Sequence, residues 1–266
     1  MNEMTDIARM MDDTLDRLLT RRLAGLAGLT GAEGEEQLRA ALTEAGLPLL
    51  LRAEDEGGLG GTLGDAAVAC WRLGWHAAPV DPVALLAGEE ARPLAGGLFG
   101  ADEPPEGEAT RDDALLTVAA MTGAMARVME IAVDYANTRQ QFGRPLGKFQ
   151  ALQHLLAEAA SELALTEAAL AAALEAAEAD GEDTLPWLTA KAQAGRAATF
   201  IAAAAHQVMG AIGFTEEHPL HHYTRRLWQW RDDNGRQAEC EARVGRAALA
   251  APGGLWAYLT DERSEA

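Results

Sequence analysis

Apolar residues recur at three- and four-residue steps along most of the chain, and the elements follow from that spacing. Between residues 4 and 27, Ile7, Met10, Met11, Leu15, Leu18 and Leu19 line one face of a helix. A second, shorter helix over 36–45 is ended by Gly46, since glycine adopts the left-handed turn after a helix at little steric cost. LPLLLRAEDEGGLGG then reads as an apolar run entering a glycine turn, and a third helix over 63–74 (LGDAAVACWRLG) is broken by Pro79 and Pro82. Residues 96–113 are rich in Gly, Pro and Glu, carry no periodicity and read as a linker.

The second half is denser. A long helix is expected over 114–138, with its apolar stripe at Leu116, Ala120, Gly123, Val128, Ile131 and Tyr135. RQQFGRPLGK (139–148) must be a loop, because Gly143, Pro145 and Gly147 together forbid a continuing helix. An Ala-, Leu- and Glu-rich amphipathic helix spans 149–180, and GEDTLP turns into a helix that has Pro186 in its first turn and runs to Met209. After GAIGFTEEHP, shorter helices cover 217–230 and 237–250. No segment alternates with the period of a strand. Long helices with short connections imply antiparallel neighbours. The expected fold is therefore all-α, with an N-terminal helical domain (1–95), a linker (96–113) and a C-terminal antiparallel helical bundle (114–266).

Composition sharpens this picture. Hydrophobic residues make up 48% but aromatics only 5%, so the core rests on Ala and Leu, which lose little on entering a helix. Twenty-two basic against 41 acidic residues give a net charge of −19, which nucleic-acid phosphates and anionic membrane surfaces repel. Two cysteines, Cys70 and Cys240, cannot make a zinc framework and point to a reducing compartment. MNEMTDIARMMDD has neither the basic nor the apolar region of a secretion signal, and no 18 apolar residues run uninterrupted, so a cytoplasmic protein is expected.

Candidate chemistry is sparse. Gly57-Gly58-Leu59-Gly60-Gly61 lacks the third glycine of a dinucleotide fingerprint, Leu63 standing in its place, and no strand precedes it; a turn is the better reading. His218, His221 and His222 have no carboxylate or thiol pattern to complete a metal site and read as helix-start and surface histidines. No G-x-S-x-G elbow exists. The 139–150 loop differs: Arg139, Gln141, Phe142, Phe149 and Gln150 gather a guanidinium, amides and rings between two long helices. Arginine matches a phosphate bidentately, and amides and rings suit a heteroaromatic cofactor. A tight interhelical turn with Phe142 plugged into the bundle would carry the same residues.

DYANTRQQFGRPLGKFQALQHLLAEAA, with its Arg-x-x-Phe-Gly, proline and Phe-Gln run, resembles the corresponding stretch of flavin-dependent acyl-CoA dehydrogenases. AKAQAGRAATFIAAAAHQVMGAIGFTEEHPLHHYTRR is similar to that family's Gln-x-x-Gly-Gly-x-Gly-Phe/Tyr segment and the arginine after it, with Ala211 replacing the second glycine. Residues 42–82 resemble the family's first helical domain more loosely. The resemblance implies FAD, shared with a partner subunit, and assigns cofactor contacts to Arg139, Gln141, Phe142, Gln150, Gln207, Gly210 and Gly213. It also implies that the β-barrel domain normally found between the helical regions is replaced here by the linker.

The family's usual base, a Glu before a Gly-Thr pair, corresponds to Asn234, with Arg236 at the Thr position, and an amide cannot take a proton from carbon. Some relatives place a Glu at the start of the long helix, where Asp113 stands; its shorter side chain and acidic neighbours weaken it as a base, and it reads instead as the cap of that helix. Cofactor-facing elements beside a lost base imply a non-catalytic or accessory subunit of a heteromeric, steroid-CoA-type acyl-CoA dehydrogenase, paired in an α2β2 assembly with a longer catalytic homologue that holds most of the acyl-CoA. The alternatives are a stand-alone enzyme with Asp113 as base and a helical interaction protein without flavin.

Overall fold

The computed structural model describes residues 4–24, 32–88, 110–179, 184–251 and 256. Helix α1 (Asp6–Arg22) starts where Thr5 Oγ1 accepts the Ala8 N–H at 2.9 Å, and α2 (Ala32–Glu44) gives way at Gly46, whose φ of 87° is the expected left-handed turn. The chain then doubles back, with the Leu59 and Gly61 N–H groups donating to the Leu49 and Leu50 carbonyls at 2.8 Å each. A side chain on Gly58 would lie 2.0 Å from the Arg52 carbonyl oxygen, so the glycine run is a compact turn and its composition is set by packing.

Helix α3 (Leu63–Trp75) opens with a capping box between Thr62 and Asp65, and the buried Asp65 carboxylate also accepts from Thr5 Oγ1. Asp12 and Asp16 of α1 grip Arg72: Nε and Nη2 each lie 2.7 Å from the Asp12 carboxylate, and Nη1 lies 3.0 Å from Asp16. Pro82, expected to act as a breaker, instead begins a short helix, α4 (Pro82–Ala87), with Asp81 as its cap. Proline's fixed φ fits a first helical turn, where its missing N–H costs nothing.

Helix α5 (Arg111–Thr138) starts inside the segment read as linker. Its cap is Thr110, whose Oγ1 accepts the Asp113 N–H at 3.1 Å, so Asp113 is not the cap and lies one turn into the helix. The rest of the proposed linker, through residue 109, lies outside the described residues. A two-residue β-hairpin follows, β1 (Gln140–Gln141) against β2 (Arg144–Pro145), then α6 (Gln150–Glu178), α7 (Leu185–Met209), α8 (Leu220–Asp232) and α9 (Gln237–Ala250). Among the described residues β1 and β2 are the only strands.

The core sits around α5, which packs on α3, α4, α6, α7 and α8. From Ala114 to Met125 every α5 residue is buried, so the single stripe read from the sequence is too narrow. Where α3 crosses α5, a Cβ on Gly74 would meet the Ala120 carbonyl oxygen at 1.9 Å, and one on Gly123 would meet the Trp71 carbonyl oxygen at 1.9 Å. Two reciprocal glycines thus set the distance between the helices. Helix α8 clasps the end of α3: Tyr223 Oη donates to the Trp75 carbonyl at 3.1 Å and Arg226 Nε to the Ala77 carbonyl at 2.9 Å. Helix α5 and residues Leu185–Phe214 have the length and apolarity of membrane spans, yet 72% and 56% of their most apolar windows are buried inside the bundle. They are its central helices.

Candidate functional site

The 139–149 segment is the first of three stations at which the sequence-derived candidates stand. Arg139 ends α5, its N–H donating to the Tyr135 carbonyl and its own carbonyl accepting from Leu146 N–H, both at 2.9 Å. Gln140 pairs with Pro145 and Gln141 with Arg144, leaving Phe142 and Gly143 as the two turn residues with φ of 53° and 79°. Positive φ at both positions is what a type I′ hairpin requires. Glycine meets this freely and phenylalanine does not, so the turn holds an aromatic residue at a backbone cost on the order of 1 kcal/mol.

Phe142 is 90% exposed, which excludes the alternative that it plugs the bundle. Its ring meets Phe149 edge-on, with centroids 6.2 Å apart, while the Arg144 guanidinium lies 4.1 Å over Phe149. Arg139, Gln141 and Gln150, the first residue of α6, are also exposed. The hairpin therefore turns a guanidinium, two amides and a ring outward.

The second station is the end of α7. Gln207 is exposed, and Gly210 leaves the helix with φ 63° and ψ −142°, with open space where a Cβ would stand. Gly213, to which the resemblance assigns a cofactor contact, is buried, and a Cβ there would lie 3.2 Å from Leu220 and Met209 side-chain atoms and 3.3 Å from His206 Nδ1. Phe214 next to it is 70% exposed and stacks on the buried His206 ring at 4.2 Å, forming an aromatic shelf with Trp228.

Burial, and behind it the nearby His221, holds His206 and His218 below the usual histidine range, and burial with His221, Arg226 and Arg225 pushes His222 down to about 4. His218 Nδ1 accepts the Leu220 N–H at 3.2 Å, a helix-start role for that histidine. His222 is half-buried instead of lying on the surface. Among the described residues no three metal-ligating side chains converge.

The third station joins Asp113 and Asn234. Asn234 sits in the turn between α8 and α9 with φ 49°, and its Nδ2 donates to Thr117 Oγ1 at 2.9 Å. Thr117 Oγ1 in turn donates to the Asp113 carbonyl at 2.8 Å. The two positions at which the family resemblance places a carboxylate are thus neighbours in space. One holds an amide used as a tie, and the other a half-exposed carboxyl in the first turn of α5.

Three contributors escaped the sequence reading. Thr117 looks like any interior threonine of a helix. His206 carries no motif of its own. Lys191 stands alone as a cation in the apolar LTAKAQAG stretch, a signal that was available. Its ammonium is fully buried in α7 and donates to the Trp230 and Arg231 carbonyls at 2.8 and 3.0 Å.

The fold is a helical bundle like that of acyl-CoA dehydrogenases. Residues 109–228 match the family described as acyl-CoA dehydrogenase, C-terminal domain. Over 222 residues the chain is 32% identical to acyl-CoA dehydrogenase IpdE2 of Mycobacterium tuberculosis, a stretch covering 79% of this chain and 65% of IpdE2. It is 40% identical over 126 residues to acyl-CoA dehydrogenase FadE34 of the same organism, 45% of this chain and 17% of that one. The chain thus spans less than two thirds of the length of these curated relatives.

Among solved structures, the ChsE4-ChsE5 complex from Mycobacterium tuberculosis superposes with a TM-score of 0.77 at 17% identity, covering 94% of this chain and 99% of the other. A variant of the Tcur3481-Tcur3483 steroid ACAD gives 0.76 at 19% identity, with coverage of 90% and 96%. At these identities the likeness concerns the fold.

Proposed function

We propose that this chain is an accessory, non-catalytic subunit of a heteromeric acyl-CoA dehydrogenase acting on a bulky acyl-CoA of the steroid type, and that it completes the FAD site of a longer catalytic partner. The observation that carries this reading is the third station: where the base would stand, Asn234 spends its amide donor on Thr117. An amide so engaged neither accepts a proton from carbon nor is free to turn towards a substrate.

The surface stations fit a flavin dinucleotide supplied from outside. Arg139 offers a charge-assisted donor to a pyrophosphate, Gln141, Gln150 and Gln207 offer amides, Phe142 offers a ring face, and Gly210 leaves room for close backbone approach. When bound, FAD supplies the hydride acceptor for dehydrogenation. Gly213 belongs to this set through packing, since it shapes the turn that presents Gly210. The names of the relatives agree with the reading: IpdE2 is an acyl-CoA dehydrogenase, ChsE4-ChsE5 is a complex of two components and Tcur3481-Tcur3483 a steroid ACAD. In this reading residues 1–95 form one helical domain, 114–266 the flavin-facing bundle and 96–113 their connection, and the protein works in the cytoplasm.

Co-expression with a longer homologue encoded nearby, followed by purification on a tag carried by this chain, tests the proposal. The expected product is a yellow stoichiometric complex that dehydrogenates acyl-CoA, while this chain alone is colourless and inactive. A flavin-loaded, active preparation of this chain alone would refute it. A second reading, a self-sufficient enzyme with Asp113 as base, has one observation in its favour: Asp113 lies in the same station as Asn234 through Thr117. Such a preparation would support that reading.

A further inference from the structure

The turn that carries Asn234 is held from behind by a group with no assigned role. Helix α8 ends at Asp232, and its last carbonyls have no partner within the helix. Lys191, in the middle of α7, supplies one by reaching the Trp230 and Arg231 carbonyls. The negative end of the α8 dipole favours a cation at this position. Burial pulls the Lys191 pKa down to about 8 against the opposing pull of Cys240, Asp233 and Asp232, while Arg231 adds to the lowering.

The lysine stem also backs the turn, since Lys191 Cγ and Cys240 Sγ lie 4.0 and 3.5 Å from where a Gly235 side chain would begin. Beyond Gly235, at φ 104°, the chain enters α9. The turn is therefore pinned on one side by Lys191 and on the other by the Asn234–Thr117 hydrogen bond.

We propose that Lys191 is a positioning residue: by capping α8 it fixes the 232–236 turn so that Asn234 is seated on Thr117 of α5. The juxtaposition of a buried donor, the helix end and the left-handed turn carries this inference. It holds whether Asn234 is an inert tie or part of a reacting site, so it stands or falls separately from the accessory-subunit reading.

The chain contains its own reporter of that seating. Asn234 precedes Gly235, whose backbone nitrogen is unshielded by a side chain and can attack the Asn234 side-chain carbon. Ammonia leaves, a succinimide forms, and water opens it to aspartate or isoaspartate. Holding the amide on Thr117 opposes this reaction, and loosening the turn permits it.

The test is Lys191→Met, which keeps the length and apolar volume of the stem and deletes the donor. Deleting the donor leaves the Trp230 and Arg231 carbonyls without it, so a modest loss of overall stability accompanies the change. The full chain is incubated at neutral pH, and deamidation at Asn234 is followed by peptide mass spectrometry, with Asn137 as internal control and hydrogen exchange over 229–240 and over α5 read in parallel. Expected are several-fold faster deamidation at Asn234 and faster exchange over the turn, with Asn137 and exchange over α5 unmoved.

Unchanged deamidation and exchange in the folded variant would overturn the proposal. So would loosening of the turn that appears only together with faster deamidation at Asn137 or faster exchange over α5, because that is general destabilisation. Should Lys191→Met not fold, Lys191→Arg, which retains charge and donors, decides. A seated, slowly deamidating Asn234 in that variant supports the assignment, and a loosened one within an intact bundle overturns it.

Discussion

Replacing Asn234 separates its structural from its catalytic value. Asn234→Ala removes the Nδ2 donor to Thr117, a part-buried neutral hydrogen bond worth about 0.5–1.5 kcal/mol. It also places alanine at φ 49°, a left-handed position that asparagine tolerates better, at a further cost of about 1 kcal/mol. The expected loss is therefore about 2 kcal/mol. Asn234→Gly loses the same hydrogen bond but relieves the backbone, so its loss should be about 1 kcal/mol or less. Urea unfolding of the two variants measures the difference, with the denaturant dependence expected to be unchanged.

If this chain is the accessory subunit proposed above, turnover of the assembled complex should stay within a few-fold of wild type for Asn234→Ala and for Asp113→Asn. Changing the partner's own carboxylate base should abolish turnover. A loss of about 10²-fold or more on Asp113→Asn, the scale expected of a general base, with assembly and flavin content intact, would make this chain the catalyst and refute the reasoning. Equal stability of the alanine and glycine variants would refute the backbone part.

The other predictions address flavin, packing and acid. Arg139→Ala should remove a charge-assisted contact of about 1.5–3 kcal/mol and visibly lower the flavin absorbance of the purified complex while the bundle stays folded. Gly74→Ala should cost about 1–3 kcal/mol, since its Cβ meets Ala120 backbone at 1.9 Å, and Gly123→Ala should cost a similar amount. Combined, they should cost less than their sum, because moving α3 off α5 once accommodates both; a double-mutant cycle reads this. His206, His218 and His222 are all held below their ordinary pKa, so below about 6.5 the unfolded chain binds protons that the folded chain refuses. Stability should therefore fall as pH drops from about 6.5 towards 4, and His222→Gln should flatten that slope in pH-dependent thermal melts.

What the chain disclosed on its own is the information that acts locally. The end of α7 at Met209 and the span of α9 emerge from periodicity and from glycine and proline, because those residues restrict φ and ψ wherever they stand. The motif around Arg139 likewise named the segment that carries the hairpin. Local rules also misplace features: Pro82, read as a breaker, starts a helix well after α3 has ended, and Thr110 takes the cap that Asp113 was expected to supply.

Packing settled the rest. Periodicity gave α5 one apolar face, whereas five neighbouring helices bury it almost all round from Ala114 to Met125. Phe142 is apolar, and its outward position depends on a hairpin that leaves it no core to enter. Asn234 finds Thr117 across 117 residues, Lys191 finds the end of α8 across about 40, and Tyr223 finds Trp75 across 148. Contacts of this kind carry no local periodicity. They exist only once the helices have chosen neighbours and distances, and at the α3–α5 crossing those distances are set by the two glycines that face each other's backbone.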